Sequence, residues 1–125
     1  MKILLSIKPE YAEKIFNGEK KYEYRKKIFK RKDVKSIIVY VTKPVGKVIG
    51  EFEIDQILEG EPSFIWEKTK KHAGISSKDY FKYFDGNDKG FAIGIKKVIK
   101  YQEPLELQNI KPTIKTPPQS FIYVQ

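Results

Sequence analysis

The sequence predicts an α+β domain that is mainly β, a mixed sheet of five or six strands with one N-terminal helix and two short helices between later strands. Ile37-Ile38-Val39-Tyr40-Val41 is an unbroken β-branched and aromatic run, the pattern of a central strand buried on both faces. Val48 to Asp55 and Phe91 to Ile95 repeat with the period of two that a pleated strand imposes. Between Pro9 and Gly18 the apolar residues Tyr11, Ala12, Ile15 and Phe16 recur at helical spacing instead.

The elements follow in chain order. Met1-Lys2-Ile3-Leu4-Leu5 is too short for a signal peptide and is read as a first buried strand of a cytoplasmic protein. Pro9 suits a first helical turn, where its missing N–H is not needed, and Gly18 suits a left-handed cap, so a helix is expected over 9 to 17. Lys21 to Arg25 then alternates charge with tyrosine, placing Glu23 and Arg25 on one side of a strand and Tyr22 and Tyr24 on the other. After the central strand and a turn at Thr42 to Gly46, Gly50 marks a bend or bulge in a long strand whose outer face is acidic. Pro62 opens a second helix, which Gly74 ends. Ser76-Ser77-Lys78-Asp79 resembles a capping box at the start of a third. Ala92 and Gly94 leave one face of the next strand open to close approach. From Pro104 the pattern weakens, and Pro112, Pro117 and Pro118 exclude a central strand or helix there before Ser120 to Val124 adds a terminal strand.

Composition narrows the function classes. A chain of 125 residues is one domain, 1–125, and 40% hydrophobic with 33% charged residues is the balance of a globular protein, not a disordered one. No apolar run approaches the ~18 residues that would span a bilayer. The absence of cysteine removes thiol nucleophiles and thiolate metal sites, and a lone histidine, His72, cannot make a two-histidine metal site. No cofactor and no metal are expected, and Gly-rich phosphate loops are absent.

The net charge of +9 is unevenly placed: Lys20 to Lys35 holds nine Lys/Arg against Glu23 and Asp33, a local +7. Such a concentration points to a polyanionic partner, nucleic acid first, with Lys26, Lys27, Lys30, Arg31 and Lys32 as backbone contacts; a solvated loop that only aids solubility is the alternative. Residues 62 to 84 imitate a helix-turn-helix, but Asp79, Tyr80, Phe81 and Tyr83 stand where a major-groove reader needs Arg, Asn or Gln.

Lys20, Glu23 and Arg25 are the candidate site. Taken alone, they fit either a surface ion-pair ladder or a ligand-binding face. Gly18-x-Lys20-x-x-Glu23-x-Arg25, preceded by Ser6-Ile7-Lys8-Pro9-x-Tyr11-Ala12 and Ile15, is similar to the signature of the ASCH domain, a PUA-like β-barrel family linked to RNA and nucleotide recognition. The resemblance implies a small PUA-like mixed β-barrel with the motif lining a cleft. It implies a ligand-binding set of Ser6, Lys8, Lys20, Glu23, Arg25 and the flanking Tyr22 and Tyr24, and a part in regulating transcription or translation.

Within that set a carboxylate accepts from exocyclic amines, arginine offers a fork to phosphate, and tyrosine stacks an unpaired base. Tyrosines at alternate strand positions, and Trp66, serve equally as core. The resemblance also admits hydrolysis. Lys20, desolvated beside Arg25, is a candidate catalytic base or nucleophile. Some ASCH proteins remove the acetyl group from acetylated cytidine with a lysine, a threonine and a distant glutamate. Here Glu23 occupies the threonine position, and no carboxylate falls near residues 72 to 74. Ribonuclease chemistry would rest on Lys20, Arg25 and His72; a histidine near a helix end is also explained by the helix dipole.

Overall fold

The computed structural model describes residues 1–125. Its strands are β1 (Lys2–Ile7), β2 (Tyr22–Arg25), β3 (Ser36–Val41), β4 (Lys47–Gly60), β5 (Gly90–Leu105) and β6 (Phe121–Val124). Its helices are α1 (Pro9–Phe16), α2 (Pro62–Thr69), α3 (Ser77–Tyr83) and α4 (Leu107–Ile110), with a 3-10 turn at Lys70–His72. The six strands form one sheet in the order β2-β5-β4-β3-β1-β6. β1 runs parallel to β3, and every other pair is antiparallel. Leu4 to Ser6, Ile37 to Val41 and Phe91 to Ile95 share that sheet, as the periodicity predicts.

The mixed, mainly β class holds, but the sheet is not closed into a true barrel. β2 and β6 remain its two edges. They are tied by side chains rather than by a ladder. The Arg25 guanidinium donates to the Ser120 carbonyl at 3.3 Å, and the Tyr123 hydroxyl accepts from the backbone N–H groups of Lys30 and Arg31 at 3.1 and 3.3 Å. The middle of the loop between β2 and β3 is therefore pinned to the sheet.

Burial follows the alternation. Ile3, Leu5 and Ile7 of β1 and Ile37, Val39 and Val41 of β3 face one side, where Ala12 and Ile15 of α1 cover them. Leu4, Ile38 and Tyr40 face the other, closed by Leu107, Ile114 and Val124. That second layer explains why β3 is apolar throughout, and it comes from the stretch whose pattern looked weakest. There β5 continues to Leu105 and α4 forms a single turn, both beyond what proline spacing suggests. Pro104 is tolerated because β2 pairs only with residues 91 to 94, leaving the rest of that β5 edge without a ladder to break. A third cluster, Tyr24, Ile65, Ala73, Tyr80, Phe84 and Ala92, packs α2 and α3 on the β2 end of the sheet.

Gly50 lies at a register shift in β4, and a Cβ there would stand 2.4 Å from the Ile99 carbonyl oxygen, so the strand crosses β5 too closely for any side chain. The open face expected at Gly94 meets backbone as well, at Gln56. No helix is long and apolar enough to cross a membrane.

Candidate functional site

α1 ends at Asn17, Gly18 turns the chain at φ +90°, and Lys20 enters the interior just before β2. Only 2% of Lys20 is exposed. Its Nζ donates to the Ala73 carbonyl at 2.7 Å and stands 4.7 Å from the Tyr24 ring centroid and 5.3 Å from that of Tyr11. None of the six ion pairs in the protein includes it. Burial therefore pushes its pKa down to about 8, against an opposing pull from the Glu23 charge.

The seat for this lysine is built by a segment far away in sequence. Lys21 donates its N–H to the His72 carbonyl at 2.9 Å, Ala73 supplies the oxygen for Nζ, and Gly74 at φ +65° lets the aliphatic stem pass. A Cβ at Gly74 would sit 2.5 Å from Lys20 Cβ. The Tyr24 ring is set by its hydroxyl, which donates to Thr69 Oγ1 at 2.7 Å, while Thr69 in turn donates to the Ile65 carbonyl at 2.8 Å. Thr69→Val should lower unfolding free energy by about 1–3 kcal/mol, because it strands the buried Tyr24 hydroxyl; urea denaturation measures it, and a loss below about 0.5 kcal/mol would count against this hydrogen bond's role.

Glu23, 7% exposed, accepts from Arg25 Nη1 at 3.1 Å through Oε2, so the two share a side of β2 as alternation requires. Arg25 is anchored at its other nitrogen by Ser120, and Ser6 Oγ donates to the Pro118 carbonyl at 2.8 Å. Two polar groups of the site thus rest on the same C-terminal segment.

These residues line one cleft of about 580 Å³, together with Lys8, Tyr24 and Lys26. Tyr22, Lys27, Lys30, Arg31 and Lys32 do not line it. Tyr22 packs on the third cluster, and Arg31 pairs with Asp33 at 2.8 Å. His72 is exposed and outside the cleft; only its backbone takes part. Where a distant glutamate would complete the deacetylating set, Lys20 meets the Ala73 carbonyl instead.

Glu10, Tyr11, Ile75, Asp79, Lys82 and Tyr83 also line the cleft and were not singled out from the sequence as site residues. A signal existed for three of them: 79, 82 and 83 recur at helical spacing on α3, apart from the buried pair Tyr80 and Phe84. Although three carboxylates line the cleft, no three acidic or histidine side chains group closely enough to hold a metal ion.

α1 and α3 of the mixed-sheet fold both contribute to a cleft that carries both charge signs. The ASCH domain family model matches residues 5–110, and the chain belongs to that family. It is 35% identical over 123 residues to the large ribosomal subunit protein uL22 of Ureaplasma parvum serovar 3, covering 98% of this chain but only 39% of that protein's length. It is 28% identical over 128 residues to an ASCH domain-containing ribonuclease of Zymomonas mobilis, covering 98% of this chain and 83% of that one. The crystal structure of ASCH from Zymomonas mobilis superposes with a TM-score of 0.89 at 28% identity, over 99% of this chain and 87% of the other.

Proposed function

We propose that the cleft of Lys20, Glu23 and Arg25 binds RNA or a nucleotide, with the basic segment after β2 holding the phosphate backbone. The observation that carries this reading is the convergence of Lys8, Lys20, Arg25 and Lys26 with the Glu23 carboxylate on one cleft beside the +7 segment. Cations alone would suit any polyanion. A buried carboxylate among them suits a ligand that also offers N–H donors, as nucleobases do. Any part in transcription or translation would follow from that binding.

Titration of fluorescently labelled RNA should give an affinity that falls steeply with salt, each neutralised phosphate adding about 0.7 to the log–log slope for a single strand. Reversal of Lys26, Lys27, Lys30 and Lys32 to Glu should weaken binding and flatten that slope. Affinity indifferent to salt, or surviving the reversal, contradicts the proposal.

Cleavage is the second reading, favoured by the buried Lys20 and by the likeness to a protein named as a ribonuclease. An amine that gives up its proton near pH 8 can take the 2′-hydroxyl proton as the 2′-oxygen bonds to phosphorus and the P–O5′ bond breaks, the leaving 5′-oxygen taking a proton from water, while Arg25 steadies the phosphate charge. Gel analysis of the same mixtures over time tests it: product that forms without added metal and rises between pH 7 and 8 is expected, and intact RNA throughout rejects cleavage while leaving binding standing.

A further inference from the structure

The tyrosines that strand alternation offers for base stacking are poorly placed for it. Tyr24 and Tyr40 are each 7% exposed, and Tyr22 lies outside the cleft. Phe81 is more open, but it borders a separate hollow with Glu61, Asp85 and Asp88, whose charge repels a polyanion. Tyr83 is different. It lines the cleft, is 37% exposed, and packs against Phe84 in a T-shaped contact with centroids 4.8 Å apart and planes at 72°, which fixes the ring in place.

The Lys26 ammonium stands over that ring, 4.8 Å from the centroid. Both residues belong to the cleft, and Lys26 is the first of the backbone-binding cations in the chain. An exposed cation–π contact of this kind shifts an equilibrium about two- to five-fold, whereas stacking an RNA base on an aromatic ring shifts it about five- to 150-fold. A base therefore displaces the ammonium, and the displaced ammonium lies beside the phosphate that the base brings with it.

Resting on the RNA reading above, we propose that Tyr83 is the platform on which an unpaired base stacks, with Lys26 as its exchangeable cover, so that the ligand is single-stranded RNA or a splayed-out loop and not a duplex. In a helix the bases are already stacked on one another and offer no free face. Tyr83 then selects for strandedness, while the cations supply affinity that every RNA shares.

The test uses the full chain, a labelled 12-nucleotide random-sequence single-stranded RNA pool, and a fully paired 12-base-pair RNA duplex, with every protein titrated over the same series of salt concentrations. Tyr83→Leu should weaken binding of the single strand about five- to 150-fold with the salt slope unchanged, and leave duplex binding within about two-fold. Tyr83→Phe, which keeps the ring, should bind like the native protein; thermal melting of both variants checks that the half-exposed site tolerates the change. Single-strand affinity unaffected by Tyr83→Leu, equal losses for strand and duplex, or loss in Tyr83→Phe as deep as in Tyr83→Leu would each overturn the proposal while leaving RNA binding intact. Failure of the native protein to bind either RNA would instead overturn both readings together.

Discussion

Gly74→Ala is expected to lower the free energy of unfolding by about 2–5 kcal/mol and, on the reading proposed above, to weaken RNA binding by the cleft. Two separate costs combine. At φ +65° a side chain is strained, a cost of roughly 1–2 kcal/mol, and the added Cβ would stand 2.5 and 2.6 Å from Cβ and Cγ of Lys20. Those atoms are the near end of the lysine, fixed by the backbone, so the clash cannot be relieved by swinging the ammonium away. Overpacking of this sort adds about 1–3 kcal/mol. Gly86 provides the control, because it has φ +79° and nothing within 4 Å of a Cβ, so Gly86→Ala should show the conformational cost alone. Urea denaturation of both variants separates the terms: equal losses at the two glycines would mean that the Lys20 stem does not depend on the space at Gly74.

The second large effect concerns Lys20 itself. Its folded pKa of about 8 lies below the 10.5 of the unfolded chain. Below pH 8 both states hold the proton, and the folded state bears the full cost of burying the charge. Between pH 8 and 10.5 the folded protein releases it first, the unfolded chain binds more protons, and stability rises with pH. The difference between the two values corresponds to ~3 kcal/mol. Lys20→Met removes the charge but leaves the Ala73 carbonyl without its donor, which costs about 1–3 kcal/mol at every pH. The stability of native protein minus variant should therefore climb by about 2–3 kcal/mol between pH 7 and pH 10. Taking this difference cancels Tyr80 and Tyr101, whose pKa values burial raises and which weaken the fold as pH passes 10. A difference that stays flat across that range would show that Lys20 titrates as an ordinary surface lysine. On the two readings proposed above, Lys20→Met should either cost RNA affinity modestly or abolish cleavage with binding nearly intact, in both cases without unfolding.

Local pattern reached most of the scaffold. The β-branched run at Ile37 to Val41, the two-residue alternations at Val48 to Asp55 and Phe91 to Ile95, and the stripe of Ala12 and Ile15 all depend on neighbours within a few residues, so their elements could be read directly. The same holds for Ser76, whose Oγ accepts from the Asp79 N–H at 3.1 Å. The pairing of Glu23 with Arg25 is likewise a consequence of strand alternation.

Contacts across the chain were not legible in this way. No periodicity near Lys20 announces that Ala73 and Gly74 form its seat, 53 and 54 positions later, because that contact exists only once α2 and α3 have packed on the sheet. The proline-rich stretch before β6 lacks any pattern of its own, yet its carbonyls hold Ser6 and Arg25, and Ile114 with Leu107 closes the second face of β3. Helical spacing alone does not say that Tyr83 stays half open, since exposure is a property of what the rest of the chain leaves uncovered. Whether the sheet closes was also a long-range matter: β2 and β6 are brought near through Arg25 and Tyr123, but their backbones do not pair. Short-range propensity thus specified which segments are strands, helices and turns. The burial of Lys20, and with it the charge, reach and proton affinity of the cleft, was decided by the packing of residues far apart in the chain, because desolvation depends on every neighbour that excludes water and not on the order in which the residues are joined.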